Sequence, residues 1–135
     1  MTLENESTLK LRRLLEKYTR EDLPDFAGEL HISVNQVNGL GEAPIHIACV
    51  RGVFSDVQTL VEGGAKLNLQ GDMGRTPLHE AVARGFADIV EYLLVNGADS
   101  SIRDEFGMTP MEIASQEGNE LLISMLSDSS RTTRR

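Results

Sequence analysis

Three histidines and one cysteine are the side chains of this chain best suited to chemistry near neutral pH. They are His31, His46, His79 and Cys49. Histidine serves as a general base and as a zinc ligand, and Cys49 follows His46 at a spacing that would suit a nucleophile and its base. The sequence supplies neither an acid to orient such a pair nor a site for an oxyanion. We therefore predict that the chain is not an enzyme and holds no metal or cofactor.

The spacing of the histidines follows a longer repeat that must position them. His46 and His79 are 33 residues apart, and the same interval separates Pro44, Pro77 and Pro110. A fixed period of this length is typical of stacked repeats, in which each unit contacts only its neighbours. Equivalent residues of adjacent units lie about 10 Å apart, one helix diameter. That distance is too long for two histidines to share a zinc ion through bonds of about 2 Å.

The best copy of the repeat lies at residues 67–99. It contains Thr76-Pro77-Leu78-His79-Glu80-Ala81 and closes with Asn96-Gly97-Ala98-Asp99. It resembles the ankyrin repeat, whose motif is Thr-Pro-Leu-His-x-Ala with a Gly-Ala-Asp close. Weaker copies in the same register extend the resemblance over residues 34–126. The resemblance implies an all-α solenoid of about four helix-turn-helix units with hairpin loops, and degenerate capping repeats at both ends.

These copies divide the chain into segments. We expect an N-terminal capping repeat at 1–33, repeats at 34–66 and 67–99, a C-terminal capping repeat at 100–126 and a disordered tail at 127–135. In the first segment the apolar pattern predicts one helix around Leu9–Leu15 and a second helix over Leu23–Leu30. The tail contains no apolar residue, which favours disorder.

The resemblance also assigns structural roles to the motif residues. Threonine caps the first helix of a repeat, proline suits its first turn, and histidine hydrogen-bonds the hairpin turn below the helix. In this sequence those residues are Thr76 and Thr109; Pro44, Pro77 and Pro110; and His46 and His79. Ala43 stands where the copy before the best one needs its capping threonine, which costs that helix about 1 kcal/mol. Cys49 aligns with Val82 and Ser115, so we expect a buried thiol.

The distribution of charge excludes some partners and favours others. The chain carries a net charge of −8, and residues 36–126 hold thirteen acidic and five basic groups. Such a surface repels nucleic-acid phosphates and favours a basic partner protein, although acidity would also serve solubility alone. No apolar run approaches the roughly 20 residues that span a membrane, and the first residues are polar and acidic. The single cysteine fits a reducing compartment, so we expect a cytoplasmic protein.

Partner binding is expected at positions that the motif leaves variable. In an ankyrin-like stack the loops form projecting hairpins, and the first helices line the concave side. Apolar side chains fall near the hairpin tips, where such repeats are usually polar: Leu40, Met73 and Phe106 at the tips, and Leu69, Ile102 and Met108 in adjacent columns. Leu40, Met73 and Phe106, which we call the hairpin ridge, would form an apolar surface about 20 Å long, of the kind that marks an interaction site.

Charged residues extend this predicted surface. Arg75 lies beside a hairpin tip, and the concave side carries Arg51, Arg84 and Glu80. Arginine can bind the carboxylates of a partner through its planar donors. Two alternatives stay open. For the ridge, the alternative is that its side chains pack back onto the hairpins or pair in a homodimer. For the arginines, the alternative is that they form weak exposed salt bridges with Glu80 or Glu117.

These observations predict a scaffold that binds another protein, as a monomer or a weak homodimer. One alternative is an acidic inhibitor or immunity-type protein that neutralises a basic effector or toxin. Another is a self-associating adaptor that uses the apolar ridge. The basic side of the N-terminal helix could instead dock on an acidic partner or a membrane surface. A partner interaction that salt weakens would favour the acidic inhibitor, whereas an interaction insensitive to salt would favour binding through the apolar ridge.

Overall fold

In the computed structural model, the described residues are 5–21 and 33–132, and within them the chain contains helices and no strands. The helices are α1 (Glu6–Glu21), α2 (Pro44–Arg51), α3 (Phe54–Glu62), α4 (Pro77–Arg84), α5 (Ala87–Val95), α6 (Pro110–Glu117) and α7 (Glu120–Thr132). A single 3₁₀ turn, Asp72–Gly74, lies between α3 and α4. No helix in these described ranges has both the length and the apolar character needed to cross a membrane.

The helices after α1 form three antiparallel pairs that stack in two rows. α2 pairs with α3, α4 with α5, and α6 with α7. The first helices α2, α4 and α6 contact one another in sequence, and so do the second helices α3, α5 and α7. This arrangement confirms the helical repeat solenoid predicted from the 33-residue period.

Local sequence signals define where the first helices begin and end. Each begins with its motif proline, whose missing N–H group has no helical partner to lose. Thr76 caps α4 by accepting a hydrogen bond from the His79 backbone N–H, and Thr109 caps α6 in the same way. Each helix ends at a glycine with positive φ. At Gly52 a side chain would also collide with the Phe86 ring, 2.6 Å from an added Cβ, so both conformation and packing require glycine there.

The core lies between the two rows and is made of aliphatic side chains. Ile45 and Leu78 of the first helices and Ile89 and Leu93 of the second helix α5 are completely buried, because the two rows present them towards each other. Small alanines, which let the first helices approach closely, are also buried: Ala48, Ala81 and Ala114. Cys49 is fully buried as predicted. Burial raises the pKa of the Cys49 thiol, so the reactive thiolate is disfavoured.

The N-terminal helix occupies an unexpected place in the stack. In a regular repeat a first helix would lie beside α2, but α1 packs along α3, in the row of second helices. Leu15 and Tyr18 are buried in this contact, and the Tyr18 hydroxyl donates to Asp56 Oδ2 over 3.0 Å. α1 therefore covers the exposed end of the second row. The helix expected over Leu23–Leu30 lies outside the described residues.

The C-terminal helix is longer than the sequence pattern indicated. Leu122 and Leu126 are buried against α5 and α6, which anchors the first half of α7. The helix then continues to Thr132, so the tail expected from Ser127 onward does not begin there. Extending an existing helix adds a hydrogen bond for each residue ordered and avoids the cost of a new nucleus. Residues 133–135 lie outside the described part of the chain.

Candidate partner-binding surface

The hairpins between repeats share one turn. The glycine N–H at each turn donates to the carbonyl three residues earlier: Gly41 to Asn38 over 2.9 Å, Gly74 to Gly71 over 3.0 Å, and Gly107 to Asp104 over 3.0 Å. The three glycines have φ values of +80°, +70° and +78°. The turns therefore recur with the same 33-residue period as the helices, and each places its tip residue directly before the glycine.

Side chains stabilise the outer two hairpins. Asn38 Oδ1 accepts from the backbone N–H groups of Leu40 and Glu42, over 2.9 and 3.0 Å. Asp104 Oδ1 accepts from the N–H groups of Phe106 and Met108 over the same distances, 2.9 and 3.0 Å. Asparagine and aspartate favour such turns because their side chains mimic a backbone carbonyl.

The middle hairpin is built differently. Its equivalent position is Gly71, which has no side chain to offer, and a Cβ there would lie 3.1 Å from His46 Nε2. The tip residue Met73 takes a left-handed conformation with φ +57°, the one positive φ of a non-glycine residue in the described ranges. A bond from the Glu105 N–H to the Met73 carbonyl, 3.0 Å, ties this hairpin to the next one. The tip is therefore held by backbone contacts across the repeat boundary.

The hairpin ridge is exposed to solvent. The exposed fractions are 61% for Leu40, 40% for Met73 and 69% for Phe106. Val37, which the sequence analysis did not select, adds a further apolar side chain at 41% exposure. It could have been recognised only by noting that the equivalent positions, Gln70 and Arg103, are polar.

The adjacent apolar columns lie lower on the hairpins. Leu69, Ile102 and Met108 are partly buried. Leu69 and Met108 pack against the core, and their backbone carbonyls accept hydrogen bonds from the histidines. These residues therefore present only part of their side chains at the surface.

The histidines connect neighbouring repeats. His46 Nδ1 accepts from the Ala43 N–H over 3.1 Å, while His46 Nε2 faces the Leu69 carbonyl at 2.8 Å. His79 makes the equivalent contacts to the Thr76 N–H and the Met108 carbonyl, at 3.0 and 2.9 Å. An Nδ1 that accepts places the proton on Nε2, so both rings are neutral donors to the hairpin of the next repeat. Burial lowers the pKa of both rings.

Within the described ranges, no cluster of three or more His, Cys, Asp or Glu side chains is placed to hold a metal ion. Both ring nitrogens of each histidine already have backbone partners. Cys49 is buried, and its thiol has a raised pKa. The histidines therefore act as structural links between repeats.

Arg75 and Glu80 form an internal ion pair. Arg75 Nη1 lies 3.3 Å from Glu80 Oε1, and Arg75 Nε lies 3.8 Å from Asp104 Oδ2 of the next hairpin. The exposed side-chain fractions are 25% for Arg75, 11% for Glu80 and 1% for Asp104. Nearby Glu42 has a raised pKa, mainly from burial and then from the negative charges of Asp72 and Glu80. The structure thus places Arg75 and Glu80 underneath the exposed surface, where Arg75 also approaches Asp104 of the next repeat.

The two concave arginines are exposed at the ends of their helices. Arg51 ends α2 and Arg84 ends α4. The Arg51 guanidinium lies 5.5 Å from the centre of the Tyr18 ring, a cation–π contact that links α2 to α1. Both arginines therefore lie at the C-terminal ends of the first helices, whereas the hairpins precede the N-terminal ends.

Comparison with known proteins relates this geometry to a family. A family model described as ankyrin repeats, in three copies, matches the chain over residues 11–104 and again over 45–134. Comparison with curated protein sequences gives no match. The matched region contains all three helix pairs and all three hairpins described above.

Proposed function

Since the chain belongs to the ankyrin repeat family, whose repeats are generally protein–protein interaction modules and typically not enzymes, we propose that it binds a partner protein through the hairpin ridge and the adjoining concave helix face. The observation that carries this proposal is the exposure of Leu40, Met73 and Phe106, each over at least 40% of its surface. Equivalent positions in successive repeats make these three side chains a row, which a partner can contact together.

Rigidity of the hairpins supports the proposal. Each tip is held by its own turn bonds, and Gln70 Nε2 donates to the Gly74 carbonyl and to the Arg103 carbonyl, both over 2.9 Å. Side chains on a preorganised backbone lose little entropy when a partner binds. We expect the hairpin ridge to supply most of the apolar contact with the partner protein.

Flanking residues extend the proposed contact. Leu69, Ile102 and Met108 contribute the exposed parts of their side chains, and Arg51 and Arg84 offer positive charge on the concave side. Arg75 and Glu80 act indirectly, since their ion pair holds the base of the middle hairpin. The chain serves as a scaffold and not as a catalyst, and the buried single cysteine is compatible with a cytoplasmic location.

The test is an affinity capture from a lysate of the native host, with matched variants. Phe106→Asp places a charge on the ridge, and Leu121→Asp places the same charge on a residue of similar exposure, 69% against 60%, at the start of α7. We expect a partner that is captured by the wild type and by Leu121→Asp but lost with Phe106→Asp. Melting temperatures of all three proteins establish that each one is folded.

A partner captured equally by all three proteins would contradict binding through the ridge. Loss with Leu121→Asp as well would indicate a general effect of added negative charge. The triple change of Leu40, Met73 and Phe106 to aspartate extends the test to the whole ridge.

A second candidate function follows from the net charge of −8. An acidic inhibitor or immunity-type protein would neutralise a basic effector, and its affinity would fall steeply with added salt.

A self-associating adaptor would instead bury the ridge in a dimer. Sedimentation of the wild type and of Phe106→Asp separates this case, because a ridge-mediated dimer dissociates in the variant.

A further inference from the structure

A second surface lies in the row of second helices, away from the hairpins. Between the start of α3 and the outer side of α5 is an open groove of about 310 Å³, lined by Phe54, Asp88, Glu91, Tyr92 and Val95. This volume is at the lower end of the range for small-molecule sites. None of these five residues belongs to the Thr-Pro-Leu-His-x-Ala motif, to its Gly-Ala-Asp close or to the hairpin ridge.

Aromatic rings form the apolar wall of the groove. The Phe54 and Tyr92 ring centres are 5.3 Å apart and the planes meet at 69°, an edge-to-face arrangement. The repeat does not require aromatic residues at these two positions: the equivalents of Phe54 are Ala87 and Glu120, and those of Tyr92 are Thr59 and Met125. The chain has only six aromatic residues, two tyrosines and four phenylalanines, so two of the six meet here. Val95, with 79% of its surface exposed, completes the apolar wall.

Carboxylates surround these rings. Asp88 and Glu91 line the groove. Burial raises the pKa of the Tyr92 hydroxyl, and the negative charge of Glu62 on α3 raises it further. Within the part of the chain that the structure describes, no ion pair joins Glu62, Asp88 or Glu91 to a cation. The groove therefore combines aromatic faces with negative charge that is not neutralised by these described residues.

We propose that this groove binds an arginine side chain of a partner protein. A guanidinium group packs flat against an aromatic ring and at the same time donates in its plane to carboxylates, and both kinds of group are present here. A lysine ammonium would interact with the carboxylates but could not stack flat on an aromatic ring, so arginine is the better match. This site is separate from the hairpin ridge and holds whether or not the ridge binds a partner.

The test uses a short blocked peptide, Gly-Arg-Gly-Arg-Gly, titrated into the isotope-labelled full chain and followed by amide NMR signals. The expected result is a set of shifts confined to the start of α3 and to Asp88–Val95. The lysine counterpart of the peptide should bind about two- to five-fold more weakly, the range of an exposed cation–π contact. Shifts centred on the hairpins or the concave helices would overturn the proposal, and so would equal affinity for both peptides.

Substitutions assign the binding to the groove. Tyr92→Leu keeps apolar volume but removes the ring, and Glu91→Gln removes one exposed charge; each should weaken arginine-peptide binding about two- to five-fold. The matched control is Glu117→Gln, an equal charge change at an exposed site on α6, which should leave binding unchanged. Equal weakening in the control would show a general charge effect and overturn the proposal.

Two of these variants keep the outcome clear. If Tyr92→Leu disturbs the fold, Glu91→Gln decides the question, because Glu91 is an exposed helix residue. Phe106→Asp should bind the peptide as the wild type does, so a failure of the ridge proposal leaves this one intact. Loss of peptide binding in folded Phe106→Asp would place the arginine at the hairpins and contradict the groove assignment.

Discussion

The N-cap residues of α2 and α4 can be compared directly, because the two helices occupy equivalent places in successive repeats. Ala43 and Thr76 precede equivalent helices with almost identical backbone angles, φ −88° and ψ 166° against φ −82° and ψ 166°. Both residues are fully buried. Thr76 Oγ1 accepts a hydrogen bond from the His79 N–H, whereas Ala43 has no side-chain oxygen and the equivalent His46 N–H donates to the Ala43 backbone carbonyl over 3.0 Å. The backbone of α2 is thus already arranged for a cap that the side chain does not supply.

We predict that Ala43→Thr stabilises the protein. The new hydroxyl would offer a side-chain acceptor to the His46 N–H, which now donates to the Ala43 carbonyl, and the expected gain is up to about 1 kcal/mol in the free energy of unfolding. Urea unfolding followed by helical circular dichroism measures this change. Thr76→Ala is the reverse control and should lose a similar amount. A less stable Ala43→Thr protein would mean that the space around residue 43 is too small for threonine.

Among the elements, the middle hairpin differs most from its neighbours. Asn38 and Asp104 stabilise the outer turns through their side chains, whereas Gly71 cannot. In the middle turn Met73 adopts positive φ, a conformation that costs an ordinary L-residue roughly 1–2 kcal/mol and asparagine less. The element that lies at the centre of the ridge therefore contains a strained residue.

We predict that Met73→Asn raises the free energy of unfolding by up to about 1 kcal/mol, since asparagine tolerates the left-handed conformation. The matched control is Leu40→Asn, because Leu40 occupies the equivalent tip but has no positive φ. That variant should show no comparable gain. Chemical unfolding of both variants tests the difference, and equal changes would refute strain at Met73. Both variants remove an apolar ridge side chain, so both should also weaken partner binding.

Across the whole molecule, buried histidines connect the repeats into one cooperative stack. His46 joins the first full repeat to the second, and His79 joins the second to the third. Each ring donates from Nε2 to a carbonyl of the next hairpin, while its Nδ1 accepts from the backbone of its own repeat. Protonation of that second nitrogen would break the accepting bond. The charge state of these two side chains therefore affects how the backbone is held at the start of α2 and of α4.

We predict that stability falls as the pH is lowered from 7 to 5.5. Burial lowers the pKa of both histidines in the folded protein, while the unfolded chain retains values of about 6.5. Below about 6.5 the unfolded chain binds protons that the folded protein does not, so acid favours unfolding, by at most about 1.4 kcal/mol per pH unit for each histidine. The stabilising contribution of the neutral rings is complete above that pH.

Urea unfolding at several pH values measures this slope. The control is the double variant His46→Gln and His79→Gln, which keeps a side-chain donor near each carbonyl but cannot titrate. Its stability should be lower and nearly independent of pH in this range. A wild-type stability that is flat or rises between pH 7 and 5.5 would show that the rings are not held neutral.

Much of the fold could be predicted from the sequence, because helix boundaries depend on local chemistry. Proline at the start and glycine with positive φ at the end of each first helix are signals that act within one turn. The burial of Cys49 and the hydrogen bonding of His46 and His79 followed from their positions in the period. The exposed tips Leu40, Met73 and Phe106 also lie where the period places them.

The sequence by itself therefore determined the helix pairs, their order and the residues at the hairpin tips. Only the tertiary structure decided the place of α1 beside α3, the ion pair of Arg75 with Glu80 beneath the ridge, and the meeting of Phe54 with Tyr92 in one groove. The physical reason is the range of the interactions. A repeat motif records the contacts that every unit makes, whereas these arrangements depend on side chains that differ between units and meet only when the units stack.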